Sequence, residues 1–206
     1  MTYREPAPTA SQRIPGVVAP ATRRIRRAVV AGLRSGIARI LEAVGYRMIR
    51  IHHRGALGVA HGSVPAGTTV FDEVPGVANL DPALLSALRR AGTDAAADGV
   101  ELRVNSGWRS PEYQNQLLRE AVAKYGSAEE AARWVATPET SAHVAGQAVD
   151  IGPPESARWL SRHGAGYGLC QIYRNEPWHY ELRPEAIEHG CPLMYADPSQ
   201  DPRMHR

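Results

Sequence analysis

Past residue 80 the hydrophobic pattern is clearest. Leu84, Leu85, Leu88 and Ala91 recur three and four residues apart behind Asp81 and Pro82. An acidic N-cap followed by proline opens a helix, and Gly99 can close it. VELRV, residues 100 to 104, alternates apolar and polar positions as a half-buried strand does. Ser110 and Pro111 open a second helix predicted to run to about Tyr125. Ser127 with Glu130 forms a capping box for a third. AVDIG, residues 148 to 152, reads as a short strand, and Pro153 and Pro154 then start a short helix ending near Gly164. YGLCQIY (167 to 173) and WHYEL (178 to 182) read as strands joined by Arg-Asn-Glu-Pro, a hairpin signal. TTVFDEV (68 to 74) reads as an early strand. Strands and helices mix without a regular βαβ rhythm. The expected fold class is therefore α+β, with a central antiparallel sheet and flanking helices.

The N-terminal quarter follows another pattern. Residues 1 to 21 are rich in Pro, Ala and Thr without a period, and read as a flexible tail. In residues 22 to 44, Ile25, Val29, Leu33, Ile37, Leu41 and Val44 recur at helical spacing, while the arginines fall largely elsewhere. Gly32 and Gly36 weaken this helix. Arg34 and Arg39 interrupt its apolar run and no clean cleavage site follows, so a signal peptide is not indicated. Two readings stand side by side. The helix lies on an anionic membrane or wall polymer, or it packs on the domain with its arginines in solvent. The expected division is a tail and basic amphipathic helix in 1–54, followed by one domain in 55–206. His52 and His53 lack companion ligands nearby and read as surface or linker residues.

Charge sharpens this division. Residues 1 to 54 hold eleven Lys and Arg against two Asp and Glu; the remainder holds thirteen against nineteen. The basicity therefore belongs to the N-terminal segment, and no nucleic-acid partner is expected for the main domain. An apolar fraction of 43% with 22% charged residues excludes general disorder. No apolar run reaches the roughly 18 residues a membrane-spanning helix needs. Cys170 and Cys191 are not in a CxxC motif. They are either two buried thiols or a disulfide closing a loop of about 20 residues, worth roughly 3 kcal/mol. The other features point outside the cell and incline the reading to a disulfide.

The chemistry concentrates in two stretches. In SAHVAGQAVDIG, residues 141 to 152, His143 and Asp150 bracket Gly146. In NEPWHYEL, residues 175 to 182, His179 follows Glu176 by three positions. Two imidazoles and one carboxylate suit Zn²⁺ and leave a fourth position for water. Glu176 is then the nearby base that water activation needs. Asp150 would point inward from its strand while Val149 and Ile151 face the other side. A carboxylate on an otherwise apolar strand needs a partner, and a metal is one. Singly, His143 reads as a loop histidine, Asp150 as a helix cap and His179 as a packed core histidine. Together they read as a catalytic zinc site.

Both stretches resemble elements of a known family. SAHVAGQAVDIG matches the SxHxxGxAxD signature of the D-alanyl-D-alanine metallopeptidases, the VanY and VanX type of the M15 peptidases. NEPWHYEL matches their ExxWH element, and SGWRSPEYQ, residues 106 to 114, looks like their SGxRSxxxQ element. The resemblance covers residues 60 to 190 and stops short of the basic segment. It implies a hedgehog and D-Ala-D-Ala peptidase-like fold, with His143, Asp150 and His179 as zinc ligands. Glu176 would activate water and later protonate the leaving amine. Arg109 would stabilise the oxyanion, Ser141 would hold the substrate's terminal carboxylate, and Gln114 would support or contact substrate. Physical chemistry agrees on Arg109, which precedes the N-cap Ser110 at the positive end of a helix dipole, where an anion is wanted. On pattern alone Gln114 reads as an exposed helical residue. Glu181 reads as a second carboxylate orienting a ligand, or as half of a cross-strand ion pair.

The resemblance implies a zinc carboxypeptidase that removes the terminal D-Ala from peptidoglycan stem peptides, at the cell envelope or outside the cell. Within the same chemistry stand a cytoplasmic D-Ala-D-Ala dipeptidase and an L-Ala-D-Glu endopeptidase. The lack of a clear signal peptide favours the dipeptidase, whereas a disulfide would favour the carboxypeptidase. From a different class stands a zinc-containing wall-binding module without turnover, against which the presence of Glu176 and Arg109 argues. The C-terminal residues beyond Pro192 read as irregular.

Overall fold

The computed structural model describes residues 57–205. The expected tail and basic helix of 1–54, with His52 and His53, lie outside the described residues.

Among the described residues six helices and four strands follow in chain order: α1 (Pro75–Ala78), α2 (Pro82–Ala97), β1 (Arg103–Ser106), α3 (Pro111–Tyr125), α4 (Ala128–Ala132), β2 (Ala148–Gly152), α5 (Pro154–His163), β3 (Leu169–Gln171), β4 (His179–Leu182) and α6 (Ala186–His189). Helix starts follow the sequence signals. Asp81 Oδ1 accepts from the N–H groups of Ala83 and Leu84 at 2.9 and 3.2 Å, and Pro82 takes the first helical position. Ser110 Oγ accepts from Tyr113 N–H at 3.2 Å to open α3. Ser127 Oγ accepts from Glu130 N–H, but α4 lasts only five residues.

The strands form one antiparallel sheet in the order β1-β2-β4-β3. On one face Val149 and Ile151 of β2 and Tyr180 of β4 enter the main core with Leu84 and Leu88 of α2 and Leu160 of α5. The buried Tyr180 hydroxyl donates to the Ala157 carbonyl at 2.6 Å, which ties α5 to the sheet. Because side chains alternate along a strand, Asp150, His179 and Glu181 point to the opposite face.

Three predicted strands differ from what forms. TTVFDEV is not a strand. The Asp72 carboxylate accepts from Thr69 N–H and Oγ1 at 2.6 and 2.8 Å, and this local turn leaves a single bridge from Thr69 to Arg103. The strand expected at 100 to 104 lies at Arg103–Ser106, because its partner β2 ends with Gly152 opposite Arg103. YGLCQIY yields only Leu169–Gln171. Gly164–Tyr167 forms a 3₁₀ turn before it, and the Ile172 carbonyl after it accepts from Tyr195 rather than from the sheet. No helix among the described residues is long and apolar enough to cross a membrane.

Cys170 and Cys191 form a disulfide. It joins β3 to Cys191; beyond it Pro198–Gln200 and Pro202–His205 form 3₁₀ turns in a stretch the sequence reads as irregular, while Leu193 stands exposed. A closed loop of about 20 residues is worth roughly 3 kcal/mol, and reduction is expected to lower Tm by about 6–12 °C. Thermal denaturation with and without reductant checks this. An unchanged Tm would mean that the segment's other contacts suffice.

Candidate active site

Sheet register builds half of the site. Asp150 of β2 lies directly opposite His179 of β4, so both side chains stand on one face as cross-strand neighbours. His143 arrives from the turn before β2. That turn is closed by backbone bonds from Ala145 to Ser141, from Gly146 to His143 and from Gln147 to Ala142. Gly146 sits at φ +71°, and a Cβ there would come within 2.8 Å of the Asn79 carbonyl oxygen. Only glycine combines that dihedral with that closeness.

His143 Nε2, Asp150 Oδ1 and His179 Nδ1 converge. Asp150 Oδ1 is 3.4 Å from His143 Nε2 and 3.3 Å from His179 Nδ1. One ligand-type atom from each of these buried residues lies within 4.8 Å of the others. The far nitrogens fix the tautomers. His143 Nδ1 lies 2.8 Å from the Gly107 carbonyl, which can only accept, so Nδ1 carries the proton. His179 Nε2 donates in the same way to Glu181 Oε1 at 3.2 Å. In its neutral form each ring therefore aims a lone pair at the common centre. Asp150 Oδ1 and His179 Nδ1 are buried without a hydrogen-bond partner among the described residues. Two nitrogen lone pairs and an orphaned carboxylate oxygen are the donor set of a divalent cation such as zinc, so these residues fit the metal expected from the sequence.

Electrostatics agree. Burial holds His143 below its usual value, with help from the Arg109 charge, so its ring is neutral and ready to ligate. Burial also disfavours a charged His179, yet the carboxylates of Asp150, Glu181 and Glu176 outweigh it and lift the ring to about 10. The position at Nδ1 thus favours positive charge. Burial alone would raise Asp150, but His143, His179 and Arg109 together hold it well below the usual carboxylate range. Glu176 stands beside the trio, its Oε2 3.7 Å from His179 Nδ1. Burial, reinforced by the Asp150 charge, pushes its carboxyl up to about 8. A carboxylate with raised proton affinity next to a cation site is suited to general-base work.

Arg109 is wedged behind Asp150. Its Nη2 donates to Asp150 Oδ2 at 3.0 Å, Nε to Ser106 Oγ at 2.8 Å and Nη1 to Gln114 Oε1 at 3.1 Å. The anion wanted near the N-terminus of α3 is thus Asp150 itself. Arg109 occupies one carboxylate oxygen and leaves the other to the centre. Gln114 is not the exposed residue its helical position suggests. It is 1% exposed, and its Nε2 donates to the Ala136 carbonyl at 2.8 Å, so it braces Arg109 against the segment after α4. Ser141 is buried, and its Oγ accepts from Val144 N–H at 3.4 Å within the turn that carries His143.

All seven residues singled out in the sequence line one cleft. It continues along α3, past Leu117 and Ala121, to the stacked rings of Tyr125 and Trp134, whose centroids are 5.8 Å apart. Trp178 forms part of its wall, and Tyr180 belongs to the core on the other side of the sheet. Glu181 accepts from His179, as the first reading expected; its ion pairs are not cross-strand but run to Arg183 just past β4 and to Arg203 near the C-terminus. Sequence reasoning missed Tyr173, Pro198 and Met204, which also line the cleft, and Arg203 behind it. No periodicity marks the C-terminal residues; the alternation of Asp197, Asp201 and Arg203 is the one local hint of ion pairing.

Comparison with known proteins follows the same residues. The family model described as VanY, D-alanyl-D-alanine carboxypeptidase, matches residues 77–185. A curated D-alanyl-D-alanine carboxypeptidase of Enterococcus faecalis (strain ATCC 700802 / V583) is 39% identical over 111 residues, covering 42% of this chain and 41% of that protein. The chain thus spans about two-fifths of the length of that relative. Among solved structures, VanYB in complex with D-alanine-D-alanine is 33% identical with a TM-score of 0.50, over 54% of this chain and 74% of that one. The LdcB LD-carboxypeptidase shares the fold, at 24% identity and a TM-score of 0.50, over 60% of this chain and 69% of that one.

Proposed function

Because this chain belongs to the VanY family of D-alanyl-D-alanine carboxypeptidases, we propose that it is a zinc-dependent carboxypeptidase releasing the terminal D-Ala of peptidoglycan stem peptides that end in D-Ala-D-Ala. The observation that carries this reading is the convergence of His143, Asp150 and His179 beside a buried Glu176 in an open cleft. The relative solved with D-alanine-D-alanine supports the substrate.

His143, Asp150 and His179 would hold the ion. Zinc would act there as a Lewis acid, polarising the scissile carbonyl and acidifying water. Glu176 takes a proton from the attacking water and returns it to the amine of the departing D-Ala. Arg109 keeps Asp150 ionised and oriented. Three of its five N–H donors are committed, and those remaining at the cleft would steady charge developing on the carbonyl oxygen. Ser141, on the wall of the cleft, would receive the terminal carboxylate.

The extension of the cleft to Tyr125 and Trp134 supports a peptide longer than a free dipeptide, because it offers surface for residues upstream of the scissile bond. The disulfide supports a location at the cell envelope or outside the cell, where such bonds persist. The excess of arginine in residues 1–54 supports contact with an anionic membrane or wall polymer.

The deciding experiment measures D-Ala release from a stem pentapeptide ending in D-Ala-D-Ala, with and without a chelator. Release that stops with chelator and returns with zinc is expected. Zinc binding with an intact pentapeptide but a cleaved free dipeptide would replace this reading with a dipeptidase. Zinc binding without cleavage of either would favour a binding module.

A further inference from the structure

Residues 192–205 lie beyond the stretch that the family model matches, which ends at 185. They fold back on the site in two ways. Tyr195 N–H donates to the Ile172 carbonyl at 3.0 Å, while the N–H groups of Arg174 and Asn175 donate to the carbonyls of Tyr195 and Ala196 at 3.0 and 3.3 Å. The segment thus lines up beside the connection that carries Glu176. Farther on, Arg203 reaches under β4. Its Nη1 donates to Glu181 Oε2 at 2.7 Å and its Nη2 to Glu181 Oε1 at 3.1 Å, a two-pronged grip on one carboxylate. Asp201 holds the guanidinium from the other side, accepting from Nε at 3.0 Å on Oδ1 and 2.9 Å on Oδ2. Tyr173 donates its hydroxyl to Asp201 Oδ2 at 2.9 Å, and its ring lies 5.1 Å from the His179 ring. Glu181 and Asp201 are 1% and 0% exposed, so both carboxylates are buried, while the Arg203 side chain keeps an edge in solvent.

We propose that Arg203 is a positioning residue for the metal centre, fixing the Glu181 carboxylate that in turn sets the tautomer and ring orientation of His179. The inference rests on His179 being a metal ligand, as read above. Its physical basis is geometric. A carboxylate gripped by a planar fork cannot rotate about its terminal torsion, so Oε1 stays where His179 Nε2–H needs an acceptor. Arg183 also donates to Glu181, at 2.6 Å, but to Oε2 alone. It leaves Oε1, the oxygen that meets the histidine, to Arg203.

The test uses the full chain with Arg203→Gln and Arg203→Lys, and measures zinc Kd by competition with a chromophoric chelator. Arg203→Gln is expected to weaken zinc binding by about 10- to 100-fold. Arg203→Lys, which keeps the charge without the fork, should lose less. At saturating zinc both should keep KM for the pentapeptide within about twofold, because Arg203 does not reach the substrate. A purely structural role would lower Tm and leave zinc Kd within about twofold of wild type in both variants, and that result overturns the inference. If Arg203→Gln does not fold, the lysine variant alone decides, by the same criterion. Failure of the wild-type protein to bind zinc would overturn the parent reading instead.

Discussion

Glu176→Gln is expected to lower kcat by about 10²- to 10⁴-fold while zinc remains bound. Gln has almost the same shape, so the packing around this buried position is kept. What it loses is the ability to take a proton. Burial lifts the Glu176 carboxyl to about 8, an affinity suited to accepting a proton near neutral pH and giving it up within the same cycle. Folding stability should change little, since burying a carboxylate without a full partner costs more than burying the amide. Steady-state kinetics on the pentapeptide, with metal content measured on the same sample, check the prediction. A fully loaded variant with near wild-type kcat would move the base to another residue.

The second large effect concerns Asp150→Ala. Two losses should appear together: the zinc, and about 3–5 kcal/mol of stability in the metal-free protein. Asp150 is the anion among His143, His179 and Arg109, with one oxygen given to Arg109 and the other facing both rings. Removing it leaves the Arg109 guanidinium, 12% exposed, without its counter-charge. The sign of the pH dependence follows. Its folded-state value is depressed below the ordinary 3.8, so its contribution is complete above about pH 4 and fades below that, as the unfolded chain takes up a proton that the fold refuses. The wild type should therefore lose more stability than the variant on acidification. Urea unfolding of both metal-free proteins at neutral pH and at pH 3 checks this. Equal stabilities at neutral pH would mean that the arginine and histidines are satisfied elsewhere.

Most of what the sequence revealed was local. β2 and β4 were readable because Val149 and Ile151 alternate with Asp150, and Tyr180 with His179, so period and chemistry coincide on the same residues. Asp81 and Ser110 were readable because caps are decided within a few residues. The failures were decided at long range. Gln114 looks exposed from its place on α3, but the segment at Ala136 covers it. The pairing of Arg109 with Asp150, 41 residues away, likewise has no local mark in the sequence. Residues 192–205 have no apolar period, and their order comes from pairs such as Asp197 with Arg133 and Arg203 with Glu181, whose partners lie 64 and 22 residues away.

The pairing of Asp150 with His179 across the sheet would make a metal held there a gauge of correct folding. Slipping β2 by one residue would send Val149 and Ile151 into the cleft and Asp150 into the apolar core. A slip of two would restore the faces but part the carboxylate from its imidazole. An ion that needs both therefore binds one alignment out of the set, and mass action draws the population towards it. Zinc present during folding would then act as a proofreader of strand alignment, before any peptide is cut.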